Sequence, residues 1–422
     1  MHRWVPWVAG FSAEFVNDCL RNYIAKNRNE TAWVLDPFAG VGTTLVEAFL
    51  HGYNVLGFEV NPYAVLAVTA KGEAVKVNTA LLADYISQFE AFMGRYCSPE
   101  AELTQPVTGP PVGFSGRTQL FSPRVQRQVL FALDFINAIR AGAIRDLFRV
   151  AFGSVMVSFS NYTYEPSLTR RATVGKSEID DANVARALAS KLYLMLDDTV
   201  WLQDHMASLR RKPQFKVVPR SIFGAQEELR RESFVDLVVT SPPYLNNYHY
   251  PRNTRPQIHW LGFSSKRGYE GANESQSFGK FWQTVRDLPP VKLDFELRQL
   301  KKTLGRVRLL NAEKGPYGGP GWANYIATYF NDTFRFWKQL RPLLRKNGAV
   351  VVVLGNSIIQ GVEVATDRFF GEIAELCGLC FEETVLLRQK RTGSSIIQSS
   401  VRADRPEQKT VLYESAIVVR NA

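Results

Sequence analysis

A glycine-rich turn between two short apolar runs constrains this chain more than any other feature. The run Thr31–Pro37 enters the turn, the helix-like segment Thr43–His51 leaves it, and a second apolar run, Tyr53–Phe58, ends at Glu59. Glycine has no Cβ and adopts positive φ easily, so such a turn brings backbone close to a ligand. The order strand, glycine turn, helix, strand therefore predicts a parallel βαβ unit with a binding site at the turn.

Further apolar runs extend this unit into a sheet. The strand candidates are Phe215–Pro219, Phe234–Thr240, Ala349–Leu354, Phe381–Leu387 and Thr410–Val419, and helices are predicted at Tyr325–Leu344 and Thr366–Cys377. Continuous apolar strands that alternate with helices are typical of sheets covered on both faces. The sequence predicts an α/β, Rossmann-like, doubly wound and mostly parallel sheet with an antiparallel terminal hairpin.

Two stretches interrupt this alternation. Residues 76–213 have the periodicity of amphipathic helices, whereas 245–320 are polar, basic and loop-like, with Gly315–Gly321 as a flexible exit. We therefore expect two insertions, one helical and one basic, in a catalytic core formed by 1–75, 214–244 and 321–422.

The charge indicates a polyanionic partner. The chain has 51 Lys and Arg against 40 Asp and Glu, a net charge of +11, and residues 245–314 alone hold 13 basic against 6 acidic side chains. A concentrated basic excess favours phosphate backbones, although a solvated surface is the simpler alternative.

The sequence predicts neither a membrane segment nor a metal site. No apolar run has the length of a membrane span, and the first residues do not resemble a secretory signal, so a cytoplasmic location is expected. The four cysteines are too few for a disulfide framework, and the one close pair, Cys377 and Cys380, lacks further metal ligands.

Residue chemistry at the turn favours one kind of cofactor. A dinucleotide fingerprint needs a third glycine where this chain has Leu45, and a P-loop needs a Gly-Lys-Ser/Thr sequence that is absent. Asp36 can accept a hydrogen bond from an ammonium group or a water, and Glu59 can accept from two ribose hydroxyls. S-adenosylmethionine carries both an ammonium group and two ribose hydroxyls, so it is the cofactor that these residues favour.

The segments VLDPFAGVGTTLVEAF and VLGFEVNPYAV resemble the cofactor half of the amino-group DNA methyltransferases. This resemblance implies a class I methyltransferase fold and S-adenosylmethionine as the cofactor. It also implies that a helix-entry motif at Trp7–Leu20 precedes the turn. The cofactor residues expected on this basis are Phe11, Asp36, Phe38, Ala39, Gly40, Gly42, Thr43, Thr44, Glu59, Val60 and Asn61.

A second motif follows the strand candidate Phe234–Thr240. Prolines fix φ and carry no N–H, so the segment Ser241-Pro242-Pro243-Tyr244 presents carbonyl oxygens in a rigid line. By resemblance, the Ser241 hydroxyl and the Pro242 carbonyl accept the hydrogens of an exocyclic amine, and Tyr244 stacks on the base. Since a paired base cannot reach such a site, base flipping is expected.

The motif also bears on the target atom. In this family Ser-Pro-Pro-Tyr tends to accompany methylation of cytosine N4, whereas Asp-Pro-Pro-Tyr tends to accompany methylation of adenine N6. Cytosine N4 is therefore favoured, with adenine N6 as the alternative. Methylation of cytosine C5 is disfavoured because it needs a thiolate, and no cysteine follows a proline as that chemistry requires.

The segment Leu245–Gly271 mixes aromatic and basic side chains, which suit base stacking and phosphate contact. The basic insertion 245–320 is therefore the candidate target-recognition region. The alternatives are that Leu245–Gly271 is a packing loop, and that the helical insertion 76–213 recognises the target. The residues predicted to contact DNA are Tyr248, Arg252, Arg255, Lys266 and Arg267.

One departure from the family pattern concerns the adenine of the cofactor. Relatives often carry Gly-Asp before the catalytic strand, but this chain reads Phe223-Gly-Ala-Gln226, with Gln226 as a substitute for the aspartate.

The expected function is site-specific methylation of double-stranded DNA in a restriction-modification setting with a cognate endonuclease. An RNA guanine-N2 methyltransferase and a non-catalytic DNA-binding subunit are the alternatives.

Overall fold

The computed structural model describes residues 1–7, 11–24, 32–96, 104–111, 119–165, 167–246, 250–264, 276–391 and 411–422. The strands are β1 (Trp33–Asp36), β2 (Asn54–Phe58), β3 (Tyr162–Tyr164), β4 (Leu168–Arg170), β5 (Phe215–Val218), β6 (Val235–Thr240), β7 (Leu344–Gly355), β8 (Ser357–Ile359), β9 (Val362–Val364), β10 (Cys380–Arg391) and β11 (Val411–Arg420).

The first helices are α1 (Ala13–Tyr23), α2 (Thr43–Leu50), α3 (Pro62–Glu73), α4 (Thr79–Tyr96), α5 (Pro123–Ala138), α6 (Gly142–Val155) and α7 (Val184–Ser208). They are followed by α8 (Ala225–Leu229), α9 (Tyr250–Asn253), α10 (Arg255–Trp260), α11 (Trp282–Val285), α12 (Arg298–Leu309), α13 (Gly319–Leu340) and α14 (Thr366–Leu376).

A seven-stranded sheet in the order β10-β11-β7-β6-β1-β2-β5 forms the centre of the fold. Strands β5, β2, β1, β6 and β7 run parallel, and β11 and β10 add an antiparallel edge. The predicted fold class is therefore confirmed. Because the chain proceeds from β1 to one side and returns to β6 on the other, the strand order switches between β1 and β6. Ligands of open α/β sheets bind at the carboxyl ends of the strands at such a switch.

Both faces of the sheet are covered, which explains the continuous apolar runs of the central strands, such as Leu237–Val239 in β6 and Ala349–Leu354 in β7. In β7, Val351 belongs to the core formed with α1–α7, whereas Val350 and Val352 belong to the core formed with α13 and α14. Segment 76–213 contributes α4–α7 to the first of these cores, continuous with α1–α3. None of the described helices is long and apolar enough to cross a membrane.

The expectation of a loop-like segment at 245–320 was wrong for its described part, since helices α9–α12 lie there. The flexible exit Gly315–Gly321 was also wrong: it forms a 3-10 turn and the start of α13, which begins six residues before the predicted Tyr325. A Cβ on Gly319 would lie 2.0 Å from the Val307 carbonyl oxygen, and one on Gly321 would lie 2.0 Å from that of Pro316. These glycines permit close backbone packing.

The glycine turn after β1 lies on α3. Gly40 and Gly42 have φ values of 50° and 86°, and a Cβ on Gly42 would lie 2.4 Å from Cγ2 of Val68. Below the turn, the Lys71 side chain is 1% exposed and donates a hydrogen bond of 2.6 Å to the carbonyl oxygen of Val41. Burial lowers the pKa of Lys71 to about 7.

We expect Gly319→Ala to destabilise the fold by about 2 to 4 kcal/mol, because the new Cβ would overlap the carbonyl oxygens of Val307 and Leu310. Gly305→Ala is the matched control: Gly305 lies within α12, where an added Cβ meets nothing, and alanine should stabilise the helix by up to about 1 kcal/mol. Urea unfolding measures both changes, and equal effects at the two positions would contradict the close packing.

Lys71→Met should change how stability depends on pH. The pKa of Lys71 is about 7 in the folded chain and 10.5 ordinarily. Between these values the unfolded chain binds the extra proton, so the wild-type protein gains stability as the pH rises from about 7, by up to about 1.4 kcal/mol per unit. The variant should lack this gain, whereas Lys76→Met, at an exposed lysine one turn beyond, should keep it. Urea unfolding at several pH values tests this, and parallel curves for all three proteins would exclude it.

Candidate active site

A cleft of about 160 Å³ opens at the carboxyl ends of β1, β2 and β6. It lies at the switch in strand order, where the fold places ligands. Both sequence motifs reach it. The predicted site residues that line this cleft are Phe38, Gly40, Glu59, Val60, Asn61, Ser241, Pro242, Pro243 and Tyr244.

A buried carboxyl group joins the two motifs. Asp36, at the end of β1, is 3% exposed, and its Oδ1 accepts hydrogen bonds from the Thr240 hydroxyl (2.6 Å) and from the Phe38 N–H (3.0 Å). The Thr44 hydroxyl donates to the carbonyl oxygen of Val239 at 3.0 Å. Burial raises the pKa of Asp36 to about 6, against the effect of its hydrogen bonds. The glycine turn is thus fastened to the end of β6, immediately before Ser241.

Within the described part of the chain, the remaining predicted cofactor residues do not line the cleft. Asp36 at the end of β1, Ala39 in the turn and Thr44 in α2 are buried, and Gly42 caps α2, which begins at Thr43. Phe11 is half-buried, with its ring 5.5 Å from that of Phe15. Asp36, Ala39 and Thr44 thus support the wall of the cleft from behind.

Glu59 organises the side of the cleft next to β2. Its Oε2 accepts from the Gly40 N–H at 2.8 Å, and its Oε1 accepts from the N–H groups of Val60 (2.8 Å) and Asn61 (2.7 Å). Burial raises the pKa of this carboxyl above its ordinary value, although the three N–H groups lower it. With about four acceptor positions on a carboxylate, Oε2 retains one for a ligand donor.

Asn61 links the cofactor side to segment 245–320. Its Oδ1 caps α3 by accepting from the N–H groups of Tyr63 and Ala64, and its Nδ2 donates to the Thr254 hydroxyl at 2.7 Å. Thr254 lies between α9 and α10 and also lines the cleft.

The Ser241–Tyr244 segment is held by hydrogen bonds to its carbonyl and hydroxyl groups. The Tyr329 hydroxyl, on α13, donates to the carbonyl oxygen of Pro243 at 3.0 Å, and Tyr329 is 1% exposed. Burial and the charge of Glu414 raise the pKa of Tyr244 to about 12, while a hydrogen bond with the Ser241 side chain lowers it. The Ser241 and Tyr244 side chains are thus hydrogen-bonded to each other where both line the cleft.

A second cavity, of about 360 Å³, lies on the other side of Tyr244. Tyr413 and the ion pair of Arg388 with Glu414 form part of its wall, together with Trp322 from α13. Tyr244 and Tyr325 line both spaces, so the cleft and the second cavity meet at these two residues.

Sequence reasoning missed several lining residues. At the end of β5 the cleft is lined by Ser221 and Ile222, whereas Gln226 is exposed and does not line it. The sequence did carry a signal for Ser221. It follows β5 as Glu59 follows β2, and the carboxyl ends of parallel strands meet at one edge of the sheet. The segment 276–281 and Tyr329 carried no such signal, since their approach depends on tertiary packing.

Segment 276–281 closes one side of the cleft. The Phe278 ring lies 5.3 Å from Phe38 and 5.2 Å from Tyr329, both edge-on. The Gly279 N–H donates to Asp332 of α13 at 2.9 Å, and the Lys280 ammonium lies 3.9 Å from the same carboxylate. Burial raises the pKa of Asp332.

The predicted DNA contacts are only partly described. Tyr248, Lys266 and Arg267 lie outside the described residues. Arg252, in α9, is exposed, and Arg255, at the start of α10, is half-buried. Their contact with DNA stays a prediction.

Comparisons with known proteins agree with this geometry. The profile of the N6 and N4 methyltransferases, a DNA methylase family, matches residues 7–70, which span the glycine turn and Glu59. The type II methyltransferase M.BsoBI of Geobacillus stearothermophilus is 21% identical, over 94% of this chain and 82% of the relative. M.AvaI of Nostoc sp., also a type II methyltransferase, is 23% identical, over 93% of this chain and 82% of the relative.

Among solved structures, the rRNA methyltransferase aviRa from Streptomyces viridochromogenes aligns with a TM-score of 0.31 and 10% identity, over 99% of this chain and 88% of that chain. That likeness is too distant to bear on function.

The family profile falls on the glycine turn, and the type II relatives extend over nearly the whole chain. The chain thus resembles the amino-group (N6 and N4) DNA methyltransferases, in its family profile at the glycine turn and in type II relatives over most of its length.

Proposed function

We propose that this chain transfers a methyl group from S-adenosylmethionine to the exocyclic N4 amine of a cytosine flipped out of duplex DNA. The main support for the proposal is the hydrogen bond between Asp36 and Thr240, which joins the glycine turn to the Ser241–Tyr244 segment. A cofactor held at the turn and an amine held at Ser241 then meet in one cleft.

The residues of the cleft fit S-adenosylmethionine. Glu59 retains an acceptor position for a ribose hydroxyl, and Ile222 offers an apolar surface at the end of β5 for the adenine ring. Positive φ at Gly40 keeps the turn free of a side chain beside these groups. When bound, the cofactor supplies an electrophilic methyl group on a sulfonium.

The amine side of the cleft relies on acceptors. The Ser241 oxygen and the Pro242 carbonyl would accept the two amine hydrogens, which turns the nitrogen lone pair toward the methyl group. Pro242 has no N–H, so it offers no donor that would compete for the amine lone pair. Because the methyl group is already activated, this positioning supplies most of the catalysis.

The second cavity suits the ring of the flipped base, with its amine reaching past Tyr244 to Ser241 in the cleft. It borders Tyr244 on the side away from the glycine turn, and Trp322 and Tyr413 add aromatic surface. Stacking on such rings offsets the cost of unpairing, which is a few kcal/mol. The names of the relatives support a type II setting, so we also propose a cytoplasmic role beside a cognate restriction endonuclease.

The reaction is tested by expressing the chain in a host that lacks DNA methylation and analysing its nucleosides by mass spectrometry. We expect N4-methylcytosine with the wild-type chain and a loss of at least about 100-fold with Ser241→Ala, because the variant removes an acceptor used in the transition state. Ser208→Ala, at an exposed serine in the last turn of α7, is the matched control and should leave the mark intact.

The same experiment separates the alternatives. N6-methyladenine that disappears in Ser241→Ala would overturn the choice of base and keep the site. DNA without either mark, from protein that binds S-adenosylmethionine, would overturn the assignment of DNA as substrate.

Tyr329→Phe tests the support of the catalytic segment. Loss of its hydrogen bond frees the Pro243 carbonyl, so we expect kcat to fall about tenfold while KM for S-adenosylmethionine stays unchanged. Tyr63→Phe is the control, since it removes a buried tyrosine hydroxyl that donates to the Val150 carbonyl at 3.4 Å, outside the cleft. Steady-state kinetics give kcat and KM for both variants. An equal kcat for the two would mean that the Tyr329 hydroxyl contributes only to stability.

A further inference from the structure

Helix α12 has one apolar face and one cationic face. Leu300, Leu304 and Val307 are buried, and its twelve residues, RQLKKTLGRVRL, include five cations and no acidic residue. Side chains three and four positions apart share a helix face, so the cations lie opposite the buried stripe. The cations are Arg298, Lys301, Lys302, Arg306 and Arg308.

Most of this charge is not neutralised within the described part of the chain. Lys301 pairs with Glu296, which precedes the helix and is itself exposed. The other four cations form no ion pair with any described residue, and all but the half-buried Arg308 are exposed. Four uncompensated cations on one helix repel one another, which is unfavourable unless an anion lies against them.

Gly305 lies in the middle of the cationic face. A Cβ added there would meet no atom within 4 Å, and its φ is not positive. Nothing in the described chain therefore requires glycine, although alanine would stabilise the helix by about 1 kcal/mol. A residue without a side chain at this point lets a partner approach the helix backbone closely.

The carboxyl end of α12 lies beside the second cavity. The Gly319 N–H donates to the Leu310 carbonyl at 2.8 Å, and Asn311 Nδ2 donates to Oε1 of Gln360 at 3.0 Å. Gln360 lines the cavity that Tyr244 borders. The cationic face thus ends at the rim of the space proposed for the flipped base.

We propose that the cationic face of α12 binds the phosphate backbone of duplex DNA next to the flipped base. The inference rests on the proposed function and adds a contact surface distinct from Arg252 and Arg255. A helix of this length is about 18 Å long, enough to run beside several phosphates. Contacts of this type fix the position of the duplex and carry no sequence information.

The test measures binding of a fluorescent, random-sequence DNA duplex of roughly 30 base pairs, about three helical turns, by anisotropy over a range of salt concentrations. The variant is Lys302→Gln/Arg306→Gln/Arg308→Gln, which breaks no ion pair of a described residue. We expect affinity to fall at least about tenfold and the slope of log K against log salt to decrease by about 2 to 3.

The control variant also removes three positive charges, in this case near the amino ends of the strands. Arg210, Lys212 and Lys346 are exposed and lie before or at the amino ends of β5 and β7, so their triple glutamine variant should keep the wild-type slope. Thermal unfolding of both variants verifies that they fold alike.

The outcomes separate this inference from the proposed function. A wild-type salt slope in the α12 variant, from protein that methylates DNA, overturns the α12 contact and leaves the reaction standing. A loss seen with an RNA duplex of the same length and not with DNA also overturns it. A wild-type chain that binds S-adenosylmethionine but neither binds nor methylates duplex DNA overturns the proposed function itself.

Discussion

The hydrogen bond between Asp36 and Thr240 is the constraint on which the site depends. It joins the carboxyl ends of two adjacent strands, β1 and β6, at 2.6 Å in a buried environment. Because the carboxyl group would lose its partners if either strand moved, the glycine turn and the Ser241–Tyr244 segment are fixed relative to each other. Two motifs some 200 residues apart in sequence thereby act as one site.

The sequence predicted the parts of the fold that follow from local patterns. The apolar strands, the antiparallel edge and the meeting of the two motifs all follow from rules about parallel sheets. The place of Asp36 was not predicted: its Oδ1 accepts a hydrogen bond from the Thr240 hydroxyl, and the residue does not line the cleft. Burial of that kind is set by tertiary packing, which a single sequence does not reveal.

The basic segment 245–320 shows the same limit. Its polar composition predicted a loop, yet the described part contains α12, whose three apolar residues at helical spacing suffice to anchor it. Phe278 likewise packs between Phe38 and Tyr329, a contact between distant parts of the chain. The glycines at 315–321 predicted flexibility, whereas Gly319 and Gly321 are required by backbone carbonyl oxygens that would lie 2.0 Å from a Cβ at either position.

Tyr244 borders both the cleft and the second cavity. Packed interiors resist compression, so a shift of the ring that enlarges one space reduces the other. Occupants of the two spaces are therefore thermodynamically linked through a single side chain. Since thermodynamic linkage is reciprocal, each occupant changes the affinity of the other by the same factor. The order in which two such occupants arrive then changes the route to the doubly occupied state and leaves its free energy unaltered.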